Sequence, residues 1–176
     1  AGDEISFHVS TNPPSPFTLE IYRMGYYGGD GGRLMRTFKP FKGETQPDPP
    51  VGKNRVRECK WSPCTKITIP RDWLSGGYLG QLTAQSDGCQ SYVIFIVRDD
   101  READFIYQCS DDTWQAYNRW PSQFALYDDG EQQWYWGNNV AVSFDRPYGK
   151  YCQILDAPLT TGSGEWFLWE FPFAFW

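Results

Sequence analysis

"QSYVIFIVRD", residues 90–99, decides the fold class. Its apolar run is six residues, long enough for a strand and far short of the ~20 apolar residues a membrane-spanning helix needs. The β-branched and aromatic side chains of Tyr92–Val97 favour an extended backbone. This is the longest strand candidate in the chain, and its apolar content predicts a place at the centre of a sheet. "SDGC" just before it (86–89) has the chemistry of a hairpin turn, so "YLGQLTA" (78–84) is read as its antiparallel neighbour.

Working outward, the amino-terminal hundred residues repeat this pattern. "EISFHVS" (4–10) alternates, with Ile5, Phe7 and Val9 on one face, and "FTLEIYRM" (17–24) does the same with Phe17, Leu19 and Ile21. "NPPSP" between them stays out of any ladder, because proline has no amide donor. "GYYGGDGG" (25–32) is a hairpin loop leading to a return strand at "RLMRTF" (33–38). A proline-, glycine- and charge-rich connection follows over 39–58 and is expected to be exposed and mobile. "TKITI" (65–69) is a further strand. Short strands at this spacing predict an immunoglobulin-like β-sandwich over 1–99.

The pattern changes at "DDRE" (99–102), which is read as a hinge opening a second domain over 100–176. "ADFIYQC" (103–109) reads as a buried strand. In "CSDDTWQAYNRW" (109–120), Asp111 or Asp112 is placed to cap a short helix over 113–119. "VAVSFD" (140–145) reads as another strand, and "SGEWFLWEFPFAFW" (163–176) as a helix that is apolar nearly all round. The fold class expected is therefore mainly β, an immunoglobulin-like β-sandwich followed by an incomplete α/β segment. So apolar a terminal element needs cover, which predicts an additional protein segment or a partner chain.

Composition narrows the function classes. The 176 residues carry a net charge of −6 with scattered basic residues, which argues against nucleic acid as a partner. Five cysteines favour an oxidising, extracellular compartment over the cytosol. Cys59, Cys64, Cys109 and Cys152 are disulfide candidates, and Cys59 and Cys64 flank "KWSP" closely enough to close a small loop. No cysteine or histidine set has zinc-ligand spacing. The one histidine, His8, lies in a strand pattern and is read as structural or solvent-facing. Nine tryptophans allow sugar binding, provided Trp114, Trp120, Trp134 and Trp136 face solvent.

At "FTLEIYRMGYYGGDGGRLM", "SYVIFIVRDD", "CSDDTWQAYNRW", "SFDRPYGKY" and "GEWFLWEFPFAFW" the chain resembles the large-subunit family of N,N-dimethylformamidase. The likeness runs from about residue 5 to 176 and covers the middle portion of a family member. It implies a β-sandwich leading into a glutamine-amidotransferase-like α/β domain. It also implies a mononuclear Fe(III) site of two tyrosines and one glutamate that hydrolyses a small amide. The matching tyrosines are Tyr117 of "WQAYN" and Tyr148 of "RPYGK"; Asn118 and Arg119 are candidate substrate contacts or holders of the loop. Phenolate and carboxylate are hard oxygen donors suited to such an ion. The family's carboxylate belongs to a Gly-His-x-Glu-Tyr-Trp segment that this sequence does not contain, and neither Glu165 nor Glu170 stands in a matching motif. The competing expectation is a non-catalytic secreted module, disulfide-stapled and used for binding or assembly. Arg146 is expected in a structural salt bridge with Asp145 or another acid.

Overall fold

The computed structural model describes residues 1–116, 118, 120–121 and 141–148. Six strands and one α-helix are assigned among them: β1 (Glu4–Phe7), β2 (Phe17–Met24), β3 (Gly32–Thr37), β4 (Thr65–Thr68), β5 (Gly76–Ala84), β6 (Gln90–Val97) and α1 (Asp111–Ala116). The fold is mainly β, as expected.

The strands form two antiparallel sheets that make a sandwich. β1 pairs with β4, and the larger sheet has the order β3-β2-β5-β6. Period-2 alternation builds the interior: Phe17, Leu19 and Ile21 of β2 are all buried, while their neighbours Thr18, Glu20 and Tyr22 are only partly covered. Leu19, Ile21, Tyr78 and Val97 from one sheet meet Phe7, Ile67 and Ile69 from the other sheet and its flank, with Trp73 closing the cluster. Tyr78 lies parallel to Trp73 at 5.0 Å and to Phe95 at 5.4 Å, and its hydroxyl donates to the Leu74 carbonyl at 2.7 Å. That bond is what lets a fully buried tyrosine keep its polar tip inside. Gly80 is needed for this packing, since a Cβ there would stand 2.8 Å from Val93 Cγ1.

The expected place of the 90–99 run is corrected. β6 ends the sheet, and β2 and β5 are its central strands. Although Tyr92–Val97 is apolar throughout, only one face serves the interior: Val93 and Phe95 pack against the core and Val97 is buried, whereas Ile96 is 36 % exposed. Both predicted hairpin loops are present. Tyr27, Gly28, Gly29 and Gly31 take positive φ between β2 and β3, and Gly88 does so between β5 and β6. There the Asp87 carboxylate accepts the Cys89 amide at 3.0 Å. His8 is exposed, with its Nδ1 2.7 Å from the Trp61 carbonyl oxygen, in keeping with a structural role.

The chain divides into two compact units. The first holds 1–46 and 61–109; the second holds 47–60 with the described residues from 110 onward. The 39–58 connection is largely exposed, as expected, but both of its halves make contacts. Its first half joins the sandwich through a Phe17–Phe41 bridge and a Thr11 amide bond to the Glu44 carbonyl at 3.0 Å. Its second half packs in the second unit, where Pro49 is buried.

Two further strand expectations are corrected. Residues 103–109 form no strand, and Phe105, Ile106 and Tyr107 are 90, 97 and 64 % exposed. β6 stops at Val97, and just beyond it the Arg101 guanidinium folds back onto the Asp99 carboxylate, so the ladder does not run on through 103–109. Residues 141–145 also form no strand. The Asp145 amide donates to Ser143 Oγ at 3.0 Å and the Arg146 amide to the Phe144 carbonyl at 2.8 Å, short-range bonds that use the donors a ladder requires. The expected helix over 163–176 lies outside the described residues.

Candidate functional site

The candidate site is built in the second unit from two short segments, 111–120 and 143–148. Helix α1 begins at Asp111, so both acids stand in its first turn, where the aligned amide dipoles favour negative charge. The first helical bond runs from the Trp114 amide to the Ser110 carbonyl at 3.0 Å. Ser110 therefore precedes the helix, and Asp111 and Asp112 act inside it rather than as the cap expected. The helix ends at Ala116 with Trp114, Gln115 and Ala116 buried. Trp114 is 2 % exposed, which overturns the requirement for sugar binding; Trp134 and Trp136 lie outside the described residues.

Asn118 is fully buried and ties the segments together. Its Nδ2 donates to Gln115 Oε1 at 3.1 Å and to the Pro147 carbonyl at 2.8 Å, and its Oδ1 accepts the Trp120 amide at 3.2 Å. These bonds serve the loop-holding alternative for this residue. The second tie is Arg146, 7 % exposed. Its guanidinium donates to the carbonyls of Gln115 at 2.5 Å, Trp120 at 2.8 Å and Ser143 at 3.2 Å. The bonds described for Arg146 are this grip on carbonyl oxygens. A planar fork of five donors suits that task, and the lost hydration drags the guanidinium pKa down to about 10.

Tyr148 stands two residues on, half-buried. Burial pushes its phenol well above the ordinary tyrosine value. A hydrogen bond from the Gln115 side chain opposes that rise, the Asp111 carboxylate adds to it, and the Arg146 cation opposes it. Because that bond favours the ionised phenol, the Gln115 amide nitrogen donates to the phenol oxygen. Cys59, from the 47–60 excursion, shares this surrounding: its amide donates to the Asp145 carbonyl at 2.7 Å, and burial pushes its thiol up to about 11.

The remaining candidates divide. Tyr117, Arg119 and Cys152 lie outside the described residues. Cys59 and Cys64 are not bridged to each other in this structure. The two residues serve different units: Cys64 Sγ contacts the Phe7 carbonyl at 3.0 Å, while Cys59 is bonded to Asp145. Among the described residues, no three His, Cys, Asp or Glu side chains gather to hold a metal, and no helix is long and apolar enough to cross a membrane. The described residues fit an iron ion only in part. Tyr148 offers one hard oxygen donor with a carboxylate in its field, but a buried guanidinium also faces it.

Gln115 and Arg146 were missed as the organising pair. Arg146 did carry a signal, a charge set between Asp145 and Pro147 in an aromatic context, but nothing local to Gln115 marks it.

Comparison with known proteins gives one finding. The family model described as N,N-dimethylformamidase beta subunit-like, C-terminal, matches residues 18–176. No curated protein and no solved structure matches the chain. With a match over nearly its whole length, this chain belongs to the N,N-dimethylformamidase beta subunit-like, C-terminal family.

Proposed function

We propose that the chain is a portion of an iron-dependent hydrolase of a small linear amide, related to the larger subunit of N,N-dimethylformamidase. The observation that carries this reading is the half-buried phenol of Tyr148, hydrogen-bonded by Gln115 beside the Arg146 cation, in a chain of this family. Tyr148 and Tyr117 would hold the ion, the latter on the family likeness alone. A carboxylate from an additional segment or chain completes the donor set.

Bound Fe(III) would act as a Lewis acid on the amide carbonyl. The chain's own residues do the positioning. Gln115 orients the phenol oxygen, Arg146 favours its anionic form against the opposing effect of burial, and Asn118 fixes the backbone between the two segments.

The test is iron binding followed by visible absorption, since charge transfer from phenolate to Fe(III) is coloured. Iron-loaded protein is expected to absorb in the visible, and Tyr148→Phe to lose most of that band. Protein that includes the carboxylate-bearing segment or chain and stays colourless after challenge with iron, or a Tyr148→Phe variant with an undiminished band, sinks the reading and leaves the non-catalytic binding module.

A further inference from the structure

The 47–60 excursion lies between β3 and β4 in sequence but folds with the second unit. Two backbone bonds join it to the loop that carries Tyr148. The Ala141 amide donates to the Asn54 carbonyl at 2.9 Å, and the Cys59 amide to the Asp145 carbonyl at 2.7 Å. One bond holds the start of the described loop and the other holds its bend, four residues later. The excursion is itself shaped for this. Asn54 and Arg55 both take left-handed φ, at 54° and 58°, inside a turn closed by the Gly52 amide on the Val56 carbonyl at 2.8 Å. Non-glycine residues seldom adopt that conformation, and two in succession persist only where the surrounding structure imposes them. Arg57 reaches back to the Pro49 carbonyl at 3.3 Å and Pro49 is buried, so the excursion is braced along its length.

We infer that residues 47–60 are a positioning strap: a piece of chain lent by the β3–β4 connection that holds the 141–148 loop, and with it Tyr148, in place. Both bonds to the loop run between main-chain atoms, so the holding depends on the path of the strap. The strap holds with one donor and one acceptor, the Cys59 amide and the Asn54 carbonyl. The functional weight of this inference rests on Tyr148 being the working group of the loop, as proposed above; the holding itself is a separate matter and is tested without iron.

Native-state hydrogen exchange on the full chain, read by peptide, is the decisive measurement. Peptides covering 47–60 and 141–148 are expected to be protected and to open together, as one cooperative unit. Cys59→Pro removes one of the two donors and is expected to raise exchange over 141–148 by at least about tenfold, with β2 and β5 unchanged. Nitration mapped by mass spectrometry reads the tyrosine itself: Tyr148 is expected to react faster in Cys59→Pro, and Tyr78 at its original rate. An excursion that exchanges at the unprotected rate in the intact chain overturns the inference. So does a 141–148 loop whose exchange and Tyr148 nitration ignore the variant. Should Cys59→Pro cost the fold, the intact-chain measurement decides alone. Failure of iron to bind would sink the functional reading and leave these results as they stand.

Discussion

The two units solve the same packing problem with opposite materials. The sandwich is closed by apolar interdigitation: Leu19 and Ile21 are wholly buried, and three rings run Trp73, Tyr78, Phe95 in a stack. The second unit, around its described loop, is closed by polar groups. Arg146, Asn118 and Gln115 are at least nine-tenths buried and bind one another or backbone carbonyls. Apolar packing is non-directional and tolerates sliding, whereas each of these hydrogen bonds fixes an angle. The difference suits a scaffold in one case and an oriented group in the other.

The sharpest way to break the comparison is to remove the centre of each kind of packing. Tyr78→Ala takes out the middle ring of the stack and the bond to the Leu74 carbonyl. It should destabilise the sandwich by about 3–5 kcal/mol, as large aromatic deletions do. Denaturant unfolding followed by fluorescence is the measurement. A loss below about 1 kcal/mol would mean the stack is not the core's keystone. Next in size is Arg146→Leu, which keeps volume but leaves the carbonyls of Gln115, Trp120 and Ser143 without this donor. Buried acceptors so abandoned make a loss of about 2–4 kcal/mol in the second unit. Exchange protection should fall over 110–116 and 141–148 and stay unchanged in β2 and β5. Equal losses in both units would erase the distinction drawn here.

The same contrast explains what the sequence disclosed. Strands β1, β2 and β4 were legible because their alternation is local: Phe17, Leu19 and Ile21 announce their face without reference to anything distant. The place of β6 was not legible, because a continuous apolar run signals burial on both faces, and which strand ends a sheet depends on pairing across the chain. The family likeness pointed to Tyr148, but its surroundings were hidden. Arg146 reaches Gln115 across 31 residues, and Cys59 reaches Asp145 across a longer interval still. No period or spacing encodes such bonds. The 103–109 run misled for a related reason: its composition is that of a buried strand, but composition does not supply the neighbouring edge a strand requires.

The smallest predicted effect probes the polar unit from the side of the strap. Burial raises the Cys59 thiol first, Asp48 and Asp145 add to the rise, and Arg146 opposes it, for a value of about 11 against 9.0 in an unstructured chain. The folded state therefore holds this proton more tightly than the unfolded state does. Its contribution is fully present below pH 9 and is lost as pH climbs through about 11. Second-unit stability should thus decline across that interval, and part of the slope should vanish in Cys59→Ala, which has no thiol to ionise. Tyr148, also raised by burial, and Arg146, lowered by it to about 10 and so acting in the opposite direction, titrate in both proteins and drop out of the difference. Exchange over 47–60 and 141–148 between pH 8 and 11, corrected for the intrinsic base-catalysed rate, measures both slopes. An identical slope in the two proteins would mean that the strap leaves its thiol in water, and that polar closure stops short of Cys59.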